Sequence, residues 1–245
     1  ITLIAGPLIG GLLFQTIGLT GTCAVACIML GIALGLIVGV PSKPQMTDAP
    51  PVSLFFDIRQ ALKFALATPA ILRVLITTII FNFCVWPLWA LMPIIAATQL
   101  HLDPLWTGLL MSTTGIGSLA GALCVIGYVR PRHYQPTFFF SSLLFLFAIA
   151  LFSVSNSLWG SCIIFFAAGL GLSGFAILQT TIILSVSPRH TRGTIMGVVV
   201  MCIGTSPAGI ALGGFLADQI GVSNALLLIA LTGLIGMCLT RIMVR

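Results

Sequence analysis

Few side chains in this sequence carry charge: Asp, Glu, Lys and Arg together make 6% of its 245 residues. Only four of them are acidic, and there are three His and two Tyr. A soluble domain has about a quarter of its residues charged. Here 59% are hydrophobic and the mean hydropathy is +1.21, more apolar surface than a water-soluble core needs. The scarcity also excludes chemistry. No His-Glu-x-x-His pair and no serine-triad spacing occurs, so a hydrolase would have no nucleophile and base to work with. The seven Cys are scattered through apolar runs, and only Cys23 and Cys27 share a helical face. Zinc needs three or four ligands, so the cysteines read as small apolar side chains, and neither metal nor cofactor is expected. No cationic segment with a small-residue cleavage site opens the chain, so the first run is a mature span and not a signal peptide.

What charge there is lies in a pattern. Lys43, Arg59, Lys63 and Arg73 fall in one gap between apolar runs, Arg130 and Arg132 in another, Arg189 and Arg192 in a third, and Arg241 and Arg245 at the end. The alternate gaps, near residues 15–21, 98–106, 155–158 and 218–223, hold no Lys or Arg. A chain that crosses a bilayer repeatedly, with its cationic loops on the cytoplasmic side, has this alternation. The sequence therefore predicts an all-α polytopic membrane protein, multi-pass in a cell membrane (a bacterial inner membrane), with both ends of the chain cytoplasmic. The net charge of +6 is accounted for by loops facing anionic headgroups, so the bilayer and not nucleic acid is the expected partner.

Spans are predicted at 1–16, 21–40, 72–97, 105–128, 136–155, 158–186, 193–217 and 222–241. Residues 41–71 read as a Pro-rich linker ending in a short amphipathic helix from Ser53 to Ala65, lying in the membrane interface with Ser53 as N-cap. Thr68-Pro69 suits the start of the next helix. The fifth and eighth spans are apolar all round and are predicted to face lipid. The third, fourth, sixth and seventh carry Gly, Ser, Thr, Pro and amides and are placed inside the bundle, because small residues let helices approach closely.

Two stretches echo each other: residues 9–18 (IGGLLFQTIG) and 212–221 (LGGFLADQIG), each with a Pro a few residues upstream. Spans six crossings apart that end alike suggest a duplicated six-helix unit, the plan of the major facilitator superfamily. The resemblance becomes specific in three places. Gly6-Pro7-x-x-Gly10-Gly11 resembles the antiporter motif in the fifth helix of that superfamily's exporters. Ser187 through Gly193, with Met196-Gly197, resembles its loop between helices ten and eleven. Residues 56–59 through 68–73 resemble the exit of the central loop in the branch of macrolide-efflux proteins and the enterobactin exporter. The loop after the fourth span, residues 127–133, departs from the superfamily pattern because it lacks the Asp. The resemblance covers essentially the whole chain as helices five to twelve of twelve. It implies a facilitator fold truncated to about eight transmembrane helices, divided into 1–40 (the last two helices of the first half), 41–71 (cytoplasmic linker) and 72–245 (the second half). Ile1 already lies inside an apolar run, so four further helices are expected before it.

Thr78, Asn82, Trp86, Trp89 and Pro93 fall on one face of the third span. An amide, two indoles and a kinking Pro suit a cavity for an amphipathic aromatic substrate. Alternatively the Trp residues sit in lipid or at an interface belt, and Asn82 bonds a neighbouring helix. Gln179, with Thr180 and Thr181, has the same two readings. Pro87 and Pro93 should kink or break their helix, and Pro207 is a further hinge. Pro7 should bend the first helix, with Gly6, Gly10 and Gly11 packing on the fourth span; the resemblance implies that this contact seals one side of the cavity. Arg130, Arg132, Arg189 and Arg192 are read as topology-setting charges, with a gate-closing role for Arg189 and Arg192 as the secondary reading. Apart from Arg73 and Asp218 at span ends, no ionisable side chain stands inside a span. Taken together, the expected function is export of a small amphipathic molecule (drug, macrolide or siderophore-like) by alternating access. The protein is expected to be a monomer when whole, proton-coupled through helices before residue 1. Importers or lipid transporters of the same fold, and a non-transporting scaffold or receptor, are the alternatives.

Overall fold

Helices account for every regular element in the computed structural model, which describes residues 2–39, 54–189 and 191–243. In chain order they are α1 (Thr2–Val38), α2 (Leu54–Ala67), α3 (Pro69–Thr98), α4 (Pro104–Tyr128), α5 (Tyr134–Ser153), α6 (Leu158–Val186), α7 (Arg192–Ile203), α8 (Ser206–Ile220) and α9 (Val222–Met243). Ser53, the prolines of the linker, His190 and Arg245 lie outside the described residues. Among those described, seven stretches are long and apolar enough to cross a membrane, with α7 and α8 together making one.

Eight spans were expected, and the difference lies in α1. Its 37 residues form one run, about 55 Å if straight, against a hydrocarbon core of about 30 Å. Within it Gly18 leaves the helix (φ 69°, ψ −176°), so the chain changes direction there, with the two predicted spans on either side. Gly221, between α8 and α9, has a similar conformation (φ 83°, ψ 154°). These are the two described glycines at positive φ, a region costly for other residues, and they end the two stretches that echo each other in sequence.

Proline acts differently along the chain. The predicted span 193–217 is divided at Gly204–Thr205, because Pro207 has no N–H to offer the carbonyl of Ile203. The Thr205 hydroxyl donates to Cys202 O (2.8 Å) at the break. By contrast α3, expected to kink or break at Pro87 and Pro93, runs as one helix through both.

Glycine sets the helix contacts. A β-carbon on Gly117 would overlap the carbonyl oxygen of Phe166, and one on Gly169 that of Thr114, so α4 and α6 touch backbone to backbone. Gly171 is held the same way against Ser141 and Phe145 of α5. The expectation that α5 and α9 are lipid-facing all round is not met. Phe138, Phe145 and Phe152 of α5 are 2%, 0% and 0% exposed, and Leu226, Ile229 and Met237 of α9 are buried too. One face of each helix belongs to the core. The seventh span, placed inside by its glycines, buries only Ile195, Val198, Val199, Gly209 and Gly213. Helix α2 packs on α3 and α7, with Ala65 buried and Leu62 exposed.

Replacing Gly117 or Gly169 by Ala should destabilise the protein by about 1–3 kcal/mol, since the added methyl meets backbone that has no room to give. Gly127→Ala, where a β-carbon meets nothing within 4 Å, should be neutral. Thermal unfolding of the three variants in one detergent checks this, and equal midpoints would refute the close α4–α6 contact.

Candidate substrate-binding site

Thr78, Asn82 and Trp86 stand on successive turns of α3 and are joined along it. Trp86 Nε1 donates to Asn82 Oδ1 (3.0 Å), Asn82 Nδ2 donates to Thr78 O (2.9 Å), and the Thr78 hydroxyl donates to Val74 O (2.7 Å). At Thr78 the chain of bonds crosses to α6, because its Oγ1 accepts from Gln179 Nε2 at 2.6 Å. Thr78 is fully buried, and Asn82 and Gln179 are each 7% exposed. An amide left without a partner at that depth would cost about 1–3 kcal/mol. Phe81 and Phe175 stack one turn away (3.8 Å between centroids, 13° between planes) and close the network toward α5, where Phe138 and Phe145 continue the cluster.

The predicted stripe straddles the boundary between the covered and open sides of α3. Trp86 is 42% exposed and shares its side with Ile79, Ala90, Pro93 and Ile94, all exposed. Trp89 is half-buried and lines a slot of about 10 Å³ with Thr114, Phe152 and Phe165. Asn82 bonds within its own helix, and it is Gln179 that links two helices. Thr181 is not brought to the network: its hydroxyl donates to Ile177 O (2.7 Å) on α6 itself.

The Gly-Pro-x-x-Gly-Gly stretch lies against α4. Gly11 abuts Pro104, and Gly108 abuts the carbonyl of Pro7, but Gly6 and Gly10 meet nothing within 4 Å. So one of the motif's three glycines makes the contact expected of all three. Arg130, Arg132 and Arg189 are exposed, whereas Arg192 is half-buried and its Nε donates to Ser187 O (3.2 Å), closing the loop between α6 and α7. Three features escaped the sequence reading. Ser112 Oγ donates to Ile4 O (2.7 Å), tying α4 to α1, and Gln99 Nε2 bonds Ser223 Oγ at the opposite end of the bundle from Arg73. Thr114 is buried with no partner for its hydroxyl. The run Met111-Ser112-Thr113-Thr114 inside an apolar span was the available signal for two of them. Charged side chains in the described spans (Arg73, Arg192, Asp218, Arg241) all stand near helix ends. Among the described residues no group of three or more His, Cys, Asp or Glu could hold a metal.

Compared with known families, residues 1–245 match the one described as transmembrane secretion effector. Among solved structures, the chain is similar to a bacterial homologue of the human lysosomal transporter Spinster, solved in an inward-facing, unoccupied conformation. The two are 14% identical with a TM-score of 0.57, over 98% of this chain and 65% of that one. At that identity the likeness establishes the fold, and the chain spans about 65% of the length of the structure it matches. No curated protein matches it.

If the Thr78–Gln179 bond forms in the membrane, Thr78→Val and Gln179→Leu should be coupled. A double-mutant cycle on unfolding in detergent should give an interaction energy of about 0.6 kcal/mol, and at most about 1.7. Strictly additive effects would mean that the two side chains do not meet.

Proposed function

The chain belongs to the transmembrane secretion effector family, and on that premise we propose that it is a membrane transporter of the major facilitator type, exporting a small amphipathic molecule by alternating access. The observation that carries this reading is Trp86. Its ring is exposed at mid-helix while its N–H is held by Asn82, so α3 offers a fixed aromatic surface beside a buried polar network. Such a surface takes the planar apolar part of a substrate by stacking and area burial. In this reading the exposed side of α3 faces the transport path, and the contact of the Pro7 region with α4 closes one end of it. The end carrying Arg73, Arg130, Arg189 and Arg241 faces the cytoplasm. Proton coupling is part of this reading, and its carboxylate is not placed in the described membrane spans, whose charged side chains stand near helix ends.

Efflux of a macrolide, a cationic dye and a catechol siderophore from loaded cells tests the proposal with the whole protein. Trp86→Ala should slow export of the transported compound roughly five- to tenfold, Trp86→Phe should retain most of it, and a protonophore should abolish it. Unchanged export in Trp86→Ala, at equal protein level in the membrane, would remove Trp86 from the path. Accumulation in place of efflux would reverse the direction. No transport of any tested compound, by protein shown to be folded, would favour a scaffold.

A further inference from the structure

At one end of the bundle the first turns of α3, the start of α5 and the last turn of α9 enclose a pocket of about 690 Å³, lined by Arg73, Thr77, Gln135, Phe138, Phe139 and Arg241 among others. Two arginines face it, and none of the described residues that line it is acidic. The Arg241 guanidinium lies over the rings of Phe139 and Phe140, 5.3 and 5.5 Å from their centroids. That contact positions the cation without neutralising it, because a ring face contributes no anionic charge. Gln135 bridges α5 to α3 by donating to Ala70 O (3.2 Å) and keeps its second amide N–H. Under the Arg241 guanidinium begins an exposed apolar row: Phe140 (56% exposed), Leu144 (37%), Phe147 (52%) and Leu151 (42%) follow one another at i, i+4, i+7 and i+11 along α5. A cationic, donor-bearing recess at the head of a long exposed apolar stripe matches an anionic headgroup with acyl chains below it.

We propose that this pocket binds the phosphate of an anionic phospholipid. Arg241 is its cationic anchor, Gln135 is a neutral donor, and the α5 stripe is the track for an acyl chain. The site is separate from the exposed side of α3 that carries Trp86 and does not depend on the transport reading. Arginine suits the role because its planar fork meets two phosphate oxygens at once, and aromatic rings beneath it hold the fork in place.

Native mass spectrometry of the purified protein tests this, in micelles doped with phosphatidylglycerol or with phosphatidylcholine of the same chains. The wild type should retain one phosphatidylglycerol per chain and release phosphatidylcholine. Arg241→Gln should weaken retention about fivefold, from the usual worth of one cation near an anionic headgroup. Arg241→Lys should keep most of it, and Lys63→Gln, the same charge change outside the pocket, should leave it unaltered. Unfolding midpoints in lipid-free micelles identify any variant that is misfolded, and the comparison of the two lipids on the wild type needs no variant. Equal retention of both lipids, or no loss in a folded Arg241→Gln protein, would overturn the proposal. Displacement of phosphatidylglycerol by millimolar inorganic phosphate would show a free-anion site instead.

Discussion

In a bilayer, a carbonyl that loses its helical donor has no water to turn to, and this chain creates such carbonyls inside its spans. Pro7 leaves Leu3 O without an N–H, and Pro87 does the same to Phe83 O. Each freed carbonyl is met by a glycine on the next helix: Gly115 of α4 lies against Leu3, and Gly209 of α8 against Phe83. The approach is close enough that a β-carbon at either glycine would collide with the carbonyl, which leaves Cα–H groups as its weak partners. These two fittings fix the height of α1 on α4 and of α3 on α8. The bond of Ser112 to Ile4 O, which needs α1 and α4 in register, follows from the first.

At Pro207 the helix gives way. Pro207 ends α7 at Ile203 and starts α8, with Gly204 and Thr205 between them. Proline by itself therefore does not decide whether a membrane helix breaks. A glycine of the neighbouring helix accompanies Pro7 and Pro87, whereas α3 continues through Pro93 with no glycine against Trp89 O. Gly18 and Gly221 are a separate case, since their backbones turn through a region that side chains avoid, and no helix need be nearby.

The same distinction explains how far the sequence could be read. The all-helical membrane class, the inside placement of the glycine-bearing α4 and α6, and the end of α1's first segment near residue 18 were legible. They depend on span length, on side chains too small to hold helices apart, and on an unusual φ. The fate of α5 and α9 was not legible. Lipid tails and a protein interior are equally apolar, so Phe138 facing Phe175 and Phe140 facing outward carry the same hydropathy. Along α3 the spacing of Thr78, Asn82 and Trp86 placed them on adjoining turns, and they do bond to one another. Which edge of that stripe is covered depends on α6, and residue spacing within α3 carries no information about it.

That edge bears on the kind of recognition α3 can offer. From sequence, an amide beside two indoles suggested a substrate held by stacking and one or two hydrogen bonds. In the structure Asn82 and Gln179 are nine-tenths buried and already partnered, Trp89 is turned to an internal slot, and the indole N–H of Trp86 is occupied. What α3 presents is a ring face and small apolar neighbours. A surface of that kind discriminates by shape and apolar area, worth about 1–3 kcal/mol per methylene. It lacks the unpaired buried donors through which a site rejects molecules that cannot fill them. Within the export reading, α3 therefore supplies breadth, and any sharp selectivity comes from polar groups on other helices facing the same path.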